Sequence, residues 1–400
     1  MDISPRSRMF LVTVGIVAAL AILSSTMSKN PALPLLSEHL GADAAQIGLI
    51  SAISPIPGVL VSSFAGAYSD RKGRERVLTY SLIIFATAPF LYLFVTEAWQ
   101  LIPVRFYHGF ATAIFMPVAM AAVADRFEPA VRGQMLGTYS SFTMVGRFIA
   151  PFLGGLLLFV ANFQSVYLAC AIAGVMALLM VFLIPWGIEG THVKAKKFEG
   201  TMFQALGKVI RDPGIMITSG MEGCQYFAMG AFETFVPIYA LSIGFNALDI
   251  GIIMGIQVVS MLLAKPIMGR ISDQKGRGPS ISIGLLVGAV AIALIPFVSS
   301  FVILCALSIA FGITVATVTA STSALVTELG GATAHGSSIG VLSSIMDIGH
   351  SIGPFLTGIL VTLYSFQIGF GLAAVVMLAG ALAFWMTVGR RHQRSHGAMG

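Results

Sequence analysis

Gly66-Ala67-Tyr68-Ser69-Asp70-Arg71-Lys72-Gly73-Arg74 is a charged stretch between two long apolar runs, and the chain contains it twice. The second copy begins 203 residues later and reads Gly269-Arg270-Ile271-Ser272-Asp273-Gln274-Lys275-Gly276-Arg277. The same offset aligns further glycines and prolines without a gap, namely Pro34 with Pro237, Gly41 with Gly244, Gly48 with Gly251, Gly109 with Gly312, Gly133 with Gly336, Gly137 with Gly340, and Pro151 with Pro354. One register over so long a stretch indicates a unit duplicated by head-to-tail fusion.

The composition excludes a water-soluble domain. Of the 400 residues, 56% are hydrophobic and 10% are charged, whereas soluble domains are about 25% charged. Cys170, Cys224 and Cys305 lie inside apolar runs, so we expect neither a disulfide framework nor a metal site. The net charge of +6 is spread over short loops, which argues against a nucleic-acid partner and for the lipid bilayer as the surroundings.

Continuous apolar runs predict an all-α membrane protein with twelve transmembrane helices. A helix of about 20 apolar residues spans a hydrocarbon core, and a membrane barrel would instead show short alternating segments. The predicted spans are approximately residues 9–30, 44–66, 77–96, 99–123, 134–160, 164–186, 214–241, 247–269, 280–298, 301–326, 337–361 and 367–388. We therefore expect an N-terminal six-helix half (1–186), a cytoplasmic linker (187–213) and a C-terminal six-helix half (214–400).

Lysine and arginine predict the orientation. An even number of spans places both termini on one side. Of the lysines and arginines in the loops, only Lys29 lies on the opposite side. The same-side segments hold Arg6, Arg8, Arg71, Lys72, Arg74, Arg76, Arg126, Arg132, Lys194, Lys196, Lys197, Lys208, Arg211, Arg270, Lys275, Arg277, Arg390, Arg391 and Arg394. This asymmetry predicts a plasma (inner) membrane protein with both termini in the cytoplasm.

The duplicated stretch also resembles a known signature. Gly66-x-x-x-Asp70-Arg71-x-Gly73-Arg74-x-Arg76 resembles the loop between helices 2 and 3 of the major facilitator superfamily, and residues 269–277 are similar to its counterpart between helices 8 and 9. The resemblance implies two six-helix halves related by a pseudo-two-fold axis, with the substrate site near the midplane between them. It also implies that Arg74 reaches an acid at the end of helix 4, here Asp125; the repeat predicts the matching pair of Arg277 with Glu328.

We interpret the two charged loops as gating latches that close the cytoplasmic side in the outward-facing state. Gly66 and Gly269 would let helices approach closely, Asp70 and Asp273 could face a positive helix N-terminus, and Gly73 and Gly276 permit a tight turn. Alternatively, Arg71, Lys72 and Arg76 are ordinary charges that set the topology.

Helix 4 carries a buried charge. Arg105-x-x-x-Gly109-x-Ala111 is similar to a helix-4 motif of the drug/proton antiporters of that superfamily. Arg105 lies about two turns inside the membrane, where a charge is costly and is kept beside a partner, an aqueous cavity or a substrate. His108 and Thr112 would extend a polar stripe on the same helix. The alternatives are that Arg105 reaches the outer surface and that His108 is structural.

Helices 5 and 11 carry related small-residue motifs. The helix-5 motif resembles the Gly-x-x-x-Gly-Pro-x-x-Gly-Gly antiporter motif, with Ala150 in place of the central glycine. Its residues are Gly146, Pro151, Gly154 and Gly155, and those of the helix-11 version are Gly349, Gly353, Pro354 and Gly358. Such residues predict close helix packing with a bend point, although close packing alone would also explain them.

Acids within the apolar runs are candidates for proton coupling. Glu222 and Glu233 are 11 residues apart on helix 7, so they share one face with Gln225, Tyr226 and Met229. We prefer Glu222 as the coupling acid, because it should lie nearer the middle of the membrane. Glu233 could belong to an outer gate.

Asp347 on helix 11 is the third acid, and it could pair with His350 or with Arg147. Many such antiporters are expected to carry an acid in helix 1. This chain has only Thr13, Ser24, Ser25 and Thr26 as polar residues between Phe10 and Met27. Coupling, if present, should therefore run through helix 7.

The resemblance places the cavity between helices 1, 4, 7 and 10. The lining would then be Ser24, Arg105, His108, Thr112, Met116, Glu222, Gln225, Tyr226, Met229, Phe311, Thr317 and Ser321. Its methionines, aromatics and few charges favour a small amphipathic compound over a sugar. We expect proton-coupled export by a monomer, powered by the proton gradient without a cofactor. The alternatives are a facilitator or symporter for a small organic anion that pairs with Arg105, and a non-transporting receptor.

An enzyme is not expected. Gly336-Ser337-Ser338-Ile339-Gly340 fits the hydrolase pattern Gly-x-Ser-x-Gly, but it begins a membrane helix and does not follow a strand. A phosphate-binding loop for ATP hydrolysis is also missing from the sequence.

Overall fold

The computed structural model describes residues 4–186, 207 and 209–389, and this part of the chain is helical with no strand. Most of the predicted linker, 187–206 and 208, lies outside the described residues, as do the basic residues from Arg390 onward. The α-helices are α1 (Pro5–Lys29), α2 (Ala32–His39), α3 (Ala44–Ile53), α4 (Ile56–Lys72), α5 (Arg74–Tyr92), α6 (Leu101–Arg126), α7 (Pro129–Val160), α8 (Phe163–Val181), α9 (Pro213–Ser242), α10 (Ala247–Lys275), α11 (Arg277–Leu294), α12 (Phe301–Leu363) and α13 (Phe366–Phe384).

Within the described ranges, ten helical segments are long and apolar enough to cross a membrane. The two remaining predicted spans correspond to α5, which begins with three charged residues, and α9, which carries Glu222 and Glu233. The first predicted span corresponds to α1 and is followed, after a break, by the short helix α2; the second predicted span is divided into α3 and α4. Pro31 and Pro55 lie at these breaks, where a proline has no backbone N–H to continue the helix.

The tenth and eleventh predicted spans lie on one element, α12. Its backbone is helical except at Gly331, where φ is 59° and ψ is −175°. The two apolar segments on either side are the first arm (Phe301–Gly331) and the second arm (Ser337–Leu363). A glycine adopts this positive φ without the steric cost that a Cβ would add, so the turn is a kink where the sequence predicted a loop.

The tight turns repeat with the sequence. Gly73 and Gly276 end α4 and α10 with φ of 95° and 96°, and Gly41 and Gly244 have φ of 81° and 95°. Both pairs are separated by the repeat offset. The duplicated glycines therefore adopt the same backbone conformation in both copies, as the tight turn predicted for Gly73 requires.

Glycines also mark equivalent helix crossings in the two copies. A Cβ added at Gly146 of α7 would collide with the carbonyl oxygen of Ala19 on α1. One added at Gly349 on the second arm of α12 would collide with the carbonyl oxygen of Gly223 on α9. The helices can approach this closely only because both positions lack a side chain.

The chain forms two compact units that differ slightly from the sequence halves. The first contains α1, α2 and α4 to α8, together with Asn246–Gly251 from the start of α10. Ala42–Ala52 belongs instead to the second unit, with α9, the rest of α10 and α11 to α13. Short segments are thus exchanged, and glycines again allow the contacts: Gly251 lies against Gly155 in the first unit, and Gly48 against the backbone of Pro354 in the second.

Candidate functional site

In the first unit, Arg105 lies in a buried polar cluster formed by α5, α6 and α8. Only 2% of Arg105 is exposed, and its guanidinium donates to the Tyr92 hydroxyl over 3.3 Å. The same hydroxyl lies 3.4 Å from Nδ1 of His108. The Tyr92 ring stacks on Tyr167 with the ring centroids 4.3 Å apart. Arg105 is therefore held inside the first unit by a tyrosine hydroxyl.

Two nitrogens of this cluster could each form a further hydrogen bond. Nε of Arg105 and Nε2 of His108 are buried and have no hydrogen-bond partner among the described residues. On α8, Tyr167 donates to the Ser28 carbonyl over 3.4 Å, and Ser24 donates to the Cys170 carbonyl over 2.8 Å. Ser24 is fully buried, and its hydroxyl joins α1 to α8. The sequence placed it in the cavity lining, whereas in this structure it lies inside the first unit. Thr112 is half-buried, and its hydroxyl turns back to the carbonyl of Gly109.

In the second unit, Glu222 is 1% exposed and its carboxyl group is hydrogen-bonded to α12. Thr322 Oγ1 donates to Glu222 Oε2 over 2.6 Å. Lys265 of α10 interacts electrostatically with the same carboxyl group. The carboxyl group of α9 is thus bound by a hydroxyl of α12, and the exposed Lys265 of α10 acts on it electrostatically; a hydroxyl can hold the carboxyl group in place whether it is ionised or protonated.

The other acid of α9, Glu233, is paired with an imidazole. Its Oε2 lies 3.0 Å from Nε2 of His350 on the second arm of α12, and both side chains are mostly buried. The His350 ring meets the Tyr226 ring edge to face with the centroids 5.8 Å apart. The sequence offered His350 as one possible partner of Asp347, which stays a prediction; the structure places His350 beside Glu233.

Between these acids, α9 presents an amide and a thioether. Gln225 is fully buried, and neither its amide nitrogen nor its oxygen has a hydrogen-bond partner among the described residues. Met229 is buried, and its sulfur accepts from Gln257 of α10 over 3.7 Å. Side chains of α9 between Glu222 and Glu233 therefore contact α10 and α12.

Of the remaining predicted lining residues, Phe311 is fully buried and stacks on Phe232, with the centroids 4.8 Å apart. Ser321 is also buried, whereas Met116 and Thr317 are half-buried. Phe311 and Ser321 thus serve the interior of the second unit in this structure.

Both ion pairs expected for the charged loops are present. Arg74 Nε lies 3.0 Å from Asp125 Oδ2, and Arg277 lies 3.0 Å from Glu328 Oε1. Each arginine also pairs with the aspartate of its own loop, Asp70 or Asp273. The carboxylates are well exposed, so each pair adds less than about 1 kcal/mol to stability. Their gating role stays a prediction.

The glycines that open the loops have a different role from the one expected. A Cβ at Gly66 or Gly269 would meet no atom within 4 Å, so neither glycine serves a close helix approach in this structure. The carbonyl of Gly66 instead accepts a hydrogen bond of 3.1 Å from Arg74. Gly66 thus contributes its backbone carbonyl to the set of groups that bind Arg74.

Sequence reasoning overlooked several of these partners. Lys265 interrupts an apolar run, and that charge alone was a usable signal. Tyr92, Tyr167 and Thr322 look like ordinary residues of apolar helices, and their importance depends on neighbours far away in sequence. His350 was noticed only as a possible ion-pair partner.

Comparison with known proteins relates the whole chain to one family. The model of the Major Facilitator Superfamily matches residues 14–261 and 218–398. Multidrug resistance protein 2 of Bacillus subtilis (strain 168) is 26% identical over 362 residues, which cover 88% of each chain. Multidrug resistance protein MdtG of Salmonella typhi is 24% identical over 371 residues, which cover 90% of this chain and 91% of that protein.

Solved structures share the fold at low identity. A bacterial homolog of the human lysosomal transporter Spinster, in an inward-facing and unoccupied conformation, matches with a TM-score of 0.81 and 16% identity, over 97% of this chain and 98% of that one. The nucleoside transporter NupG matches with a TM-score of 0.77 and 17% identity, over 94% of this chain and 98% of that one.

Proposed function

Because the chain belongs to the major facilitator superfamily, we propose that it exports small amphipathic organic compounds in exchange for protons. Membership makes the chain an integral membrane transporter and not an enzyme, and it confirms the fold class expected from the sequence. The names of the two curated relatives support a drug-like cargo. The small number of charges along the predicted cavity supports the same class of compound.

The observation that carries the proton coupling is the buried carboxyl group of Glu222. An ionised carboxylate taken out of water costs several kcal/mol unless it is paired. Here Thr322 supplies a hydrogen bond and Lys265 supplies a positive charge. A carboxyl group with these two partners can lose its proton when the site is wet and regain it when the site closes, and coupling to a proton gradient requires this exchange.

The transport cycle is alternating access by a monomer in the plasma (inner) membrane. The concentration of lysines and arginines in one set of loops supports cytoplasmic termini. The two charged loops would then act at the cytoplasmic face, and breaking the pairs of Arg74 and Arg277 would accompany opening. The proton gradient is the energy source, and no cofactor is needed.

A second candidate function is the transport of a small organic anion. Nε of Arg105 and Nε2 of His108, buried without partners, favour it, since both could donate to an anion. In this reading Arg105 is the charge partner of the cargo, and transport continues without a proton gradient.

A test of the proposal uses the purified protein in liposomes of defined internal pH. An imposed proton gradient should drive a panel of amphipathic dyes against their concentration gradient. Glu222→Gln should abolish this driven transport and leave exchange of the dye across the membrane partly intact, because the neutral amide keeps a hydrogen bond to Thr322 but cannot carry a proton.

Glu97→Gln is the matched control, since Glu97 is an exposed acid that contacts Trp99 in the loop before α6. It should behave like the wild type. Cells that lack other exporters should also become resistant to amphipathic drugs when they produce the protein. Unchanged resistance across drug classes, together with gradient-independent uptake of an organic anion, would overturn the proposal in favour of the second candidate.

A further inference from the structure

A row of buried side chains joins Glu222 to the second charged loop. Thr322 Oγ1 donates to Glu222 Oε2 over 2.6 Å. The neighbouring Ser321 donates to Ser272 Oγ over 2.8 Å, and Arg277 donates to that same oxygen over 3.5 Å. Ser272, Ser321, Thr322 and Glu222 are all buried. The row therefore runs from the carboxyl group to the arginine of the loop through the interior of the second unit.

Each of the two hydroxyl groups on α12 has an acceptor in a neighbouring helix and at least one in its own helix, which for Thr322 include the carbonyl oxygen of Thr319 at 3.3 Å. Thr322 Oγ1 lies 2.6 Å from Glu222 and 2.9 Å from the carbonyl oxygen of Val318 in its own helix. Ser321 Oγ lies 2.8 Å from the loop serine and 2.7 Å from the carbonyl oxygen of Thr317. A hydroxyl group has one proton to donate. Each therefore bonds either to its own helix or to a neighbour.

The charge of Glu222 decides the choice for Thr322. An ionised carboxylate can only accept, so it attracts the hydroxyl proton. A neutral carboxyl group can donate its own proton to Thr322 Oγ1, and the hydroxyl then donates to Val318. Hydroxyls that bond the carbonyl four residues earlier often bend their helix. A proton at Glu222 thus changes α12 next to Ser321, which binds the loop.

Several groups of α10 and α12 act on the carboxyl group of Glu222. Among the described residues that face it, Lys265 of α10 carries a charge, and Thr319 and Thr322 of α12 are neutral hydroxyls. Of these groups, Thr322 forms the 2.6 Å hydrogen bond to the carboxyl group, so a change in the charge of Glu222 acts directly on α12.

The first half lacks this row. The repeat offset places Ala19, Val118 and Ala119 where the second half has Glu222, Ser321 and Thr322. Ser69, which corresponds to Ser272, donates to the Gly66 carbonyl over 2.7 Å. The hydroxyl in the first loop is therefore satisfied within its own helix.

We propose that Thr322 and Ser321 are positioning residues that couple the proton on Glu222 to the Arg277 loop, so that the second charged loop responds to the proton and the first does not. This inference rests on the proposed role of Glu222 as the coupling acid. It adds the route by which that acid acts and assigns the two loops different tasks.

Hydrogen exchange of the full-length protein in lipid nanodiscs, followed by mass spectrometry at a single pH, tests the coupling. Glu222→Gln imitates the protonated acid. It should change the exchange rate of residues 269–277 by about threefold or more, within the range of directly coupled sites, and leave residues 66–74 unchanged. In a Ser321→Val background, which copies Val118 of the first half, Glu222→Gln should have no further effect on either loop.

Thr322 variants separate coupling from packing. Thr322→Val keeps the shape but lacks the hydroxyl, and it should abolish the response of the loop; Thr322→Ser should restore it. Ser321→Ala serves as a second variant if Ser321→Val does not fold. A response that persists in Ser321→Val and Thr322→Val, or that is equal in the two loops, would overturn the proposal.

Driven transport measured on the same samples distinguishes failure of the coupling route from failure of the proposed function. If Glu222→Gln abolishes driven transport but neither loop responds, the coupling route is wrong and the proposed function stands. If Glu222→Gln leaves driven transport intact, the proposed role of Glu222 fails, and the inference that rests on it fails as well.

Discussion

The two charged loops have the same local structure and different connections. In each, an arginine binds the aspartate of its own loop and a second acid, which is Asp125 on α6 or Glu328 on α12. A glycine with a positive φ makes the turn. In the first loop, the Ser69 hydroxyl donates to the Gly66 carbonyl of its own helix. The second continues through Ser272 and Ser321 to Thr322 and Glu222.

The wider clusters diverge in the same way. Arg105 and His108 of the first half correspond to Ser308 and Phe311 in the second, while Glu222 corresponds to Ala19. The buried positive charge thus lies in one half and the buried acid in the other. Duplication conserved the turns and helix crossings, and the polar chemistry then diverged between the copies.

The largest expected effect tests the conserved part of the comparison. Gly146→Ala and Gly349→Ala should each lower the free energy of unfolding by about 3 kcal/mol, since the new Cβ collides with a backbone carbonyl that cannot rotate away. Thermal unfolding in detergent measures the loss. Gly137→Ala and Gly340→Ala are controls at equivalent positions with open space around them, and these should be nearly neutral. Equal losses in controls and variants would show that the crossings are not tightly packed.

A smaller effect should be confined to the first half. Tyr92→Phe removes the hydroxyl that Arg105 and His108 share, and the lost bond to a charged group should cost about 2 kcal/mol of stability. Tyr107→Phe is the control, because the Tyr107 hydroxyl contacts Thr87 in a more exposed place. If the two variants unfold at the same temperature, the cluster does not depend on Tyr92.

The smallest effect on stability should come from the loops. Arg74→Gln and Arg277→Gln should each cost less than about 1 kcal/mol, because their acids are exposed. Both should raise the fraction of protein open to the cytoplasm, measured by labelling of a cysteine introduced on the cytoplasmic side of the predicted cavity. Lys72→Gln and Lys275→Gln remove a charge from each loop and are controls for net charge. If these shift the population equally, the charge of the loop matters and the specific pairs do not.

Much of the fold was predictable because its signals are local and repeated. The apolar runs predicted the spans, and the offset of the two loops predicted the Arg277–Glu328 pair from Arg74–Asp125. The breaks at Pro31 and Pro55 were also readable in principle, since Pro55 lies inside the second predicted span and Pro31 directly follows the first. The continuation of α12 past Glu328 could not be predicted, because a polar segment with several glycines favours a loop unless its neighbours hold it helical.

The candidate site was predictable by residue type but not by contact. Glu222 and Arg105 stand out as charges in apolar runs, which is a signal within a single helix. Their partners do not stand out: Thr322 lies 100 residues from Glu222, and Tyr92 reaches Arg105 only because α5 packs on α6. The sequence shows which side chains are costly to bury, and only the structure shows which neighbours stabilise them.

Release of protons on substrate binding tests the central claim, that the second half carries the coupling acid. Purified protein in weakly buffered detergent solution should release protons when an exported dye is added, and a pH indicator records the amount. Glu222→Gln should release none, whereas Asp70→Asn in the first loop should release as many as the wild type. Undiminished release from Glu222→Gln would contradict the account.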